Sequence, residues 1–345
     1  MSTTQTSSDS GTALRAASES EASVPPAVSP ADAAPPAPAL SFGVPVRNGQ
    51  RFLPRLLDSL LAQDLTDFEV VICDNESTDD TPEICASYAA RDPRIRYLPN
   101  AHNIGQIENF NRTLELARGR YFRWIGVDDW LEPSYARRCV EVLERVPEAV
   151  GITTFQDHID DEGHRLYAEY RGERLDSPDL ARRFGRMMWA FTADYRFFDP
   201  IYSMMRRDVL ERSRRLRFVP NTDQVLAAEL IAFGPFLHVD ECLAHRRKEY
   251  LDFEGEEVYR RYAPGRHGDL EPTTPRLLRL FMGAPWYVET TLLQRVRCVW
   301  PVLRHCAISS FWRNLWRARR LAGPLRPVLR PVVRGLRRAA KLLRG

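Results

Sequence analysis

From Leu40 onward, apolar and polar positions alternate in a regular rhythm. Leu40 to Val46 is a short apolar run with Pro45 near its end, which reads as a buried strand. Leu53, Leu56, Leu57, Leu60 and Leu61 then recur at helical spacing, with Pro54 tolerated in the first turn. Phe68 to Cys73 predicts a second buried strand, closing on the polar turn from Asp74 to Asp79. Thr81 reads as a helix N-cap, with Pro82 at the first helical position. Ile95–Leu98 makes a third strand, and Ile107, Phe110, Leu114 and Ala117 mark one face of a third helix. Tyr121–Ile125 makes a fourth strand. Strands alternating with helices predict parallel βαβ units with both faces of the sheet covered.

In such sheets ligands gather where strands end at their carboxyl edges. Three polar segments fall there: Pro45-Val46-Arg47-Asn48, Asp74-Asn75 and Gly126-Val127-Asp128-Asp129. None carries GxGxxG or GxxxxGK[ST], which counts against a dinucleotide fold and a P-loop.

Composition bounds the rest. With 44% hydrophobic and 28% charged residues the chain is globular overall. Residues 1–39 are the exception, rich in Ser, Ala, Pro and Thr, and are expected to be disordered. They have neither the basic start nor the apolar core of a signal peptide, and no later run is long enough to span a bilayer. The six cysteines form no CxxC pair and no ligand-like spacing with histidine, which excludes a disulfide scaffold and fits a cytoplasmic, reducing compartment.

The net charge of +3 conceals an asymmetry. From residue 290 to 345 there are 13 Arg, one Lys and no acid, or +14, so residues 1–289 carry 3 − 14 = −11. Trp300, Trp312 and Trp316 lie among those arginines, and Leu325, Leu329, Val332, Leu336 and Leu343 follow at near-helical spacing. A basic amphipathic segment with interfacial tryptophan fits an anionic membrane surface. A solvated tail or an oligomer contact fits the same residues, whereas a specific nucleic-acid partner is not expected.

Asp128 and Asp129 are the sharpest chemical feature. Adjacent carboxylates at the end of a buried strand repel each other unless a cation lies between or beside them. A divalent ion shared with diphosphate oxygens meets that need. Asp129 as the cap of the helix starting near Pro133 accounts for the dipeptide equally well.

The order of motifs carries the argument further. Val44-Pro45-Val46-Arg47-Asn48-Gly49, then Leu57 to Gln63, then Phe68 to Asp79, closely resembles the start of family 2 inverting glycosyltransferases, which have the GT-A fold. The resemblance continues through Asn103-Ile104-Gly105 and Leu116 to Tyr121 to Val127-Asp128-Asp129. It implies a Rossmann-like α/β fold, with a mixed, mostly parallel sheet sandwiched by helices. The catalytic domain would span residues 40–250, with a donor half at 40–155 and an acceptor half at 156–250. A helical basic extension would occupy 251–345.

By the same resemblance, Pro45, Val46, Asn48, Asp74, Asn75 and Asn103 would line the nucleotide-sugar site. Asp128 and Asp129 would join them, with Asp128 binding Mg2+ or Mn2+, and Trp130, by its place beside the acids, is a candidate to line the sugar site. Two positions depart from the family pattern: Gly126 replaces the first acid of its DxD motif, and Asn75 the second acid of its Asp-Asp turn. The general base that deprotonates the acceptor hydroxyl would be Asp223, at the head of a predicted helix with Val225, Leu226 and Leu230 inward. Glu229 is the reserve, and Asp223 acting only as a helix cap is the plainer alternative.

The expected activity is transfer of a sugar from a nucleotide-diphosphate donor to a hydroxyl acceptor, in polysaccharide biosynthesis at the cell envelope. The acceptor would be a lipid-linked or cell-surface glycan, and the enzyme peripheral to the inner face of the membrane. A GT-A-like nucleotidyltransferase and a catalytically lapsed nucleotide-sugar-binding or scaffold protein are the alternatives.

Overall fold

The structure is a computed structural model that describes residues 37–159, 165–167, 174–193, 200–247 and 274–321. Expectations for residues 1–36, and for the leucine and arginine stripes after residue 321, lie outside the described residues.

The first half follows the predicted rhythm. β1 (Leu40–Val46) leads to α1 (Leu53–Leu61), β2 (Phe68–Asp74), α2 (Thr81–Arg91), β3 (Ile95–Tyr97), α3 (Gln106–Glu115) and β4 (Tyr121–Trp124). A short β5 (Trp130–Leu131) precedes α4 (Tyr135–Arg145). The second half begins with β6 (Gly151–Ile159), β7 (Arg165–Tyr167), α5 (Leu180–Ala193) and β8 (Met204–Arg206). It continues with α6 (Arg207–Arg212), α7 (Thr222–Phe233) and β9 (Phe236–Arg247), then α8 (Thr274–Tyr287) and α9 (Leu292–Leu321).

The described strands form one sheet in the order β3-β2-β1-β4-β8-β6-β9-β5, with β7 on β6. β1 to β4 are mutually parallel, whereas β8 and β5 run antiparallel to their neighbours. The chain runs outward from β1 through β2 to β3, then returns to the other side of β1 as β4. The topological switch point therefore lies between β1 and β4, and their carboxyl ends flank the crevice such sheets offer to ligands.

Successive side chains in a strand point to opposite faces, so each strand feeds two cores. In β4, Tyr121 packs with α1 and α4, while Phe122 and Trp124 join α3, α5 and α7 on the other side. Trp124 is fully buried, and its indole N–H donates to the Phe110 carbonyl at 2.9 Å. Covering both faces explains why the parallel strands read as continuous apolar runs. α8 and α9 contribute Phe281, Cys298, Val302 and Cys306 to the same core as α5 and α7.

Two local expectations change. Thr81 lies inside α2 rather than capping it, because its hydroxyl donates to Asp79 Oδ1 at 2.6 Å and accepts from the Gly49 N–H. Asp129 does not cap α4 either, since Ser134 holds the cap position and β5 intervenes. Among the described residues, no helix is long and apolar enough to cross a membrane.

Candidate active site

The loops after β1 and β2 are laced to each other by their own polar side chains. Asn48, in a left-handed conformation at φ 54°, accepts the Thr78 N–H on its Oδ1, while its own N–H donates to the Ser77 hydroxyl. The Gln50 N–H donates to Asp79, and the Gln50 side chain accepts the Asp80 N–H in return. Short polar residues that bond to nearby backbone are those that favour turns over regular structure. The Asp74–Asp79 segment therefore turns at the end of β2.

Asp74 is buried, and its carboxylate is engaged by its own loop and by β3. Ser77 donates through its N–H and hydroxyl to Oδ1, and the Tyr97 hydroxyl donates to Oδ2. Asn75, also buried, donates to Asn103 Oδ1 at 2.7 Å and accepts from Asn100 Nδ2 and the Ile104 N–H. Asn100 in turn donates to Asn109, which donates to the Cys73 carbonyl. The amide matters here: an aspartate at 75 would face the Asn103 carbonyl oxygen with no proton to donate. The neutral departure at this position is thus matched by a neutral neighbourhood.

β4 delivers the second group. The Asp129 N–H returns to the Gly126 carbonyl at 3.1 Å, closing a turn that sets Asp128 and Asp129 at the strand end. Val127 links this turn to the β1 loop, since a Cβ added at Gly49 would meet both Val127 and Val46 at 2.7 Å. Pro45, Val46, Asn48, Asp74, Asn75 and Asn103 are therefore brought together by direct bonds and packing, and Val127 joins the acid turn to them. A Cβ at Gly126 would stand 3.0 Å from Asp128 Oδ1 and 3.1 Å from Asp129 Oδ2. The two carboxylates fold over the glycine, leaving a third acid little room.

The two acids differ sharply. Asp129 is buried at 4% exposure, with the Arg246 guanidinium 3.7 Å from Oδ2. Asp128 is half-buried, and no described residue donates to or pairs with its carboxylate. The cation that adjacent carboxylates require is thus supplied by the protein to one of them only. A lone hard carboxylate oxygen at a crevice suits Mg2+ or Mn2+, which take few protein ligands and complete their shells from phosphate and water. The residues present fit such an ion.

β9 and α1 supply the cations that sequence reasoning left unassigned. Trp130 pairs in register with His245, their rings stacked at 5.1 Å, and the Arg55 guanidinium lies 3.3 Å from the indole centroid. Arg247 stands over Phe52, close enough to Arg55 to help hold that guanidinium's pKa below its usual range, after the larger effect of burial. Arg246 therefore stands beside Asp129, while Arg55 covers Trp130 with Arg247 near it. The only sequence-level signal was the Ala244-His245-Arg246-Arg247 run, which pairs with β5 solely through the fold.

His245 is buried between two acids, with Nδ1 2.6 Å from Asp157 and Nε2 2.8 Å from Glu132. Burial works against its charged form, but the two carboxylates outweigh it and raise the pKa. Cys242 joins Asp157 and His245 within 4.8 Å, a cluster the linear spacing did not reveal.

Asp223 lies half-buried in the first turn of α7, where the helix N-terminus favours a carboxylate. Glu229 is fully buried and held by Arg214 and Arg217 at 2.6 and 2.9 Å, which leaves it a structural ion pair. Arg206 and Arg207 are structural as well: Arg206 donates to the carbonyls of Leu143 and Ala149, and Arg207 to that of Gly119.

The profile of glycosyl transferase family 2 matches residues 41–214, about half of the chain. The chain belongs to this family. It is 32% identical over 152 residues to the chondroitin synthase of Escherichia coli, covering 43% of this chain and 22% of the synthase. It is 28% identical over 141 residues to the putative glycosyltransferase EpsH of Bacillus subtilis, covering 41% of this chain and 40% of EpsH. The chain thus spans well under half the length of either relative. Among solved structures, S. aureus TarS 1-349 in complex with UDP-GlcNAc superposes with a TM-score of 0.59 at 17% identity, covering 77% of this chain and 72% of TarS. The mannosyltransferase PcManGT of Pyrobaculum calidifontis, in complex with GDP-Man and Mn2+, gives 0.50 at 16%, covering 91% and 84%. The fold is that of these two structures.

Proposed function

We propose that this family 2 member transfers a sugar from a nucleoside-diphosphate donor to a hydroxyl acceptor, with inversion, in polysaccharide assembly. The observation that carries this reading is the open carboxylate of Asp128 at the switch point, beside an Asp129 that faces the Arg246 guanidinium. The Asn48, Asp74, Asn75 and Asn103 loops would hold the base and ribose, being the rigid polar surface next to that carboxylate. Asp128 would hold Mg2+ or Mn2+, which when bound offsets charge on the departing diphosphate. Arg55 and Arg247 add fixed positive charge on the same side. Trp130, clasped by Arg55 and His245, would border the sugar.

Asp223 would take the proton of the acceptor hydroxyl. The acceptor oxygen then bonds to the anomeric carbon as the carbon–oxygen bond to the diphosphate breaks, and that electron pair leaves with the nucleotide. One displacement inverts the configuration without a covalent enzyme intermediate. Polysaccharide synthases among the relatives support a growing glycan, lipid-linked or at the cell surface, as acceptor.

A second reading, a lapsed nucleotide-sugar binder, is motivated by Gly126 and Asn75. Turnover of UDP- and GDP-sugars with Mn2+ or Mg2+ separates the two. The enzyme reading expects metal-dependent turnover that Asp128→Ala and Asp223→Asn each lower sharply. Donor binding with no turnover in the wild-type protein would favour the second.

A further inference from the structure

α9 carries apolar residues on two opposite faces. Cys298, Val302, His305 and Cys306 are buried in the packing against α5 and α8. On the other side Leu292, Leu293, Val296, Trp300 and Leu303 are 70%, 69%, 54%, 70% and 41% exposed. At about 100° per residue, these five fall within about a 100° arc of the helix surface. Trp286 and Tyr287, at the end of α8, extend the patch and are also more than two-fifths exposed. One apolar side chain on a surface needs no explanation, but a contiguous row of large ones does.

The charge around this row points to its partner. Arg295 lies 5.6 Å from the Trp286 ring centroid, and Arg297, paired with Asp179, and Arg304, set over Trp189, border the exposed arc. From residue 290 to the end the chain has fourteen cations and no acid, while the preceding residues carry a net −11. A soluble protein partner would need a matching acidic and apolar surface. An anionic bilayer offers both features at once, headgroup charge for the arginines and an acyl boundary for leucine and tryptophan. Stable membrane attachment generally takes two such signals together. The acidic body would be repelled by the same surface, which orients the molecule with α9 toward the lipid.

We infer that the Leu292–Leu303 face of α9 docks on the surface of an anionic membrane, inserting Leu292, Leu293, Val296 and Trp300 into the headgroup region. This does not depend on which donor or acceptor the enzyme uses.

The test is co-sedimentation of the full chain with vesicles of phosphatidylcholine containing about 30 mol% phosphatidylglycerol, against phosphatidylcholine alone. The expected result is binding to the anionic vesicles only, weakened about tenfold or more in Val296→Glu/Trp300→Glu. Those positions are solvent-exposed, so the variant keeps the wild-type thermal transition and donor turnover. Equal pelleting of wild type and variant would overturn the proposal, as would equal binding to neutral vesicles. So would a dimer, seen by light scattering, that the double substitution dissolves while the wild type ignores vesicles.

Discussion

The two ends of the parallel sheet treat their charges in opposite ways. At the amino end of β2, Glu69 is buried and saturated: Ser41 donates to it at 2.7 Å, the Arg118 N–H at 2.6 Å, and Arg96 and Arg118 pair with its other oxygen at 2.8 Å. Burial alone would raise its pKa, but those donors outweigh burial and hold it below the ordinary carboxylate range. At the carboxyl end, Asp74 is held by Ser77 and Tyr97, Asn75 is tied to the Asn103 loop, and the half-buried Asp128 is left without a described donor. A buried charge that has every partner it can use is a strut. A carboxylate kept open at a strand's carboxyl end is available to a ligand.

Substitutions at the two ends should therefore separate turnover from stability. The largest effect is expected at Asp223: Asn there should lower kcat about 10^3-fold with little change in KM or melting temperature, as for loss of a general base. Steady-state kinetics checks it, and an unchanged kcat would remove Asp223 from the chemistry. Glu69→Gln should do the reverse, costing about 2 kcal/mol of unfolding free energy in urea while leaving kcat near wild type. Because the folded pKa of Glu69 is depressed, its contribution is present above the unfolded carboxylate pKa and is lost as pH falls through the folded value. The variant should accordingly lose less stability than wild type between neutral and acid pH, read from melts across that range.

Smaller still is Asn75→Asp. Restoring the family's more usual acid should not help, since it removes the proton donated to Asn103. A loss of about 1 kcal/mol in stability and weaker donor binding are expected. Tighter binding than wild type would mean that charge, rather than the amide network, governs this loop.

The contrast also marks how much could be read from sequence alone. β1 to β4 and their helices were legible because buried parallel strands and amphipathic helices impose different periods on the same chain. The Asp74 and Asp128 turns were legible because motif order places them at strand ends. What periodicity cannot reach is pairing across distant segments. β5 is two residues long, so nothing local announces that Trp130 stacks on His245 or that Arg246 stands beside Asp129. Thr81 misled for a related reason: its hydroxyl satisfies the β1 loop, 32 residues away, in preference to its own helix. The C-terminal helices read as a basic extension, yet α9 also buries Cys298, Val302 and Cys306 against the second core, a face obscured by the arginines between them.

The most direct test is calorimetric titration of a nucleoside-diphosphate sugar, with and without Mn2+, into wild type and Asp128→Ala. Mn2+ is expected to strengthen donor binding to the wild type about tenfold or more, and to have no effect on Asp128→Ala, still folded. An equal Mn2+ enhancement in both proteins would contradict the assignment of Asp128 as the open carboxylate on which the site is built.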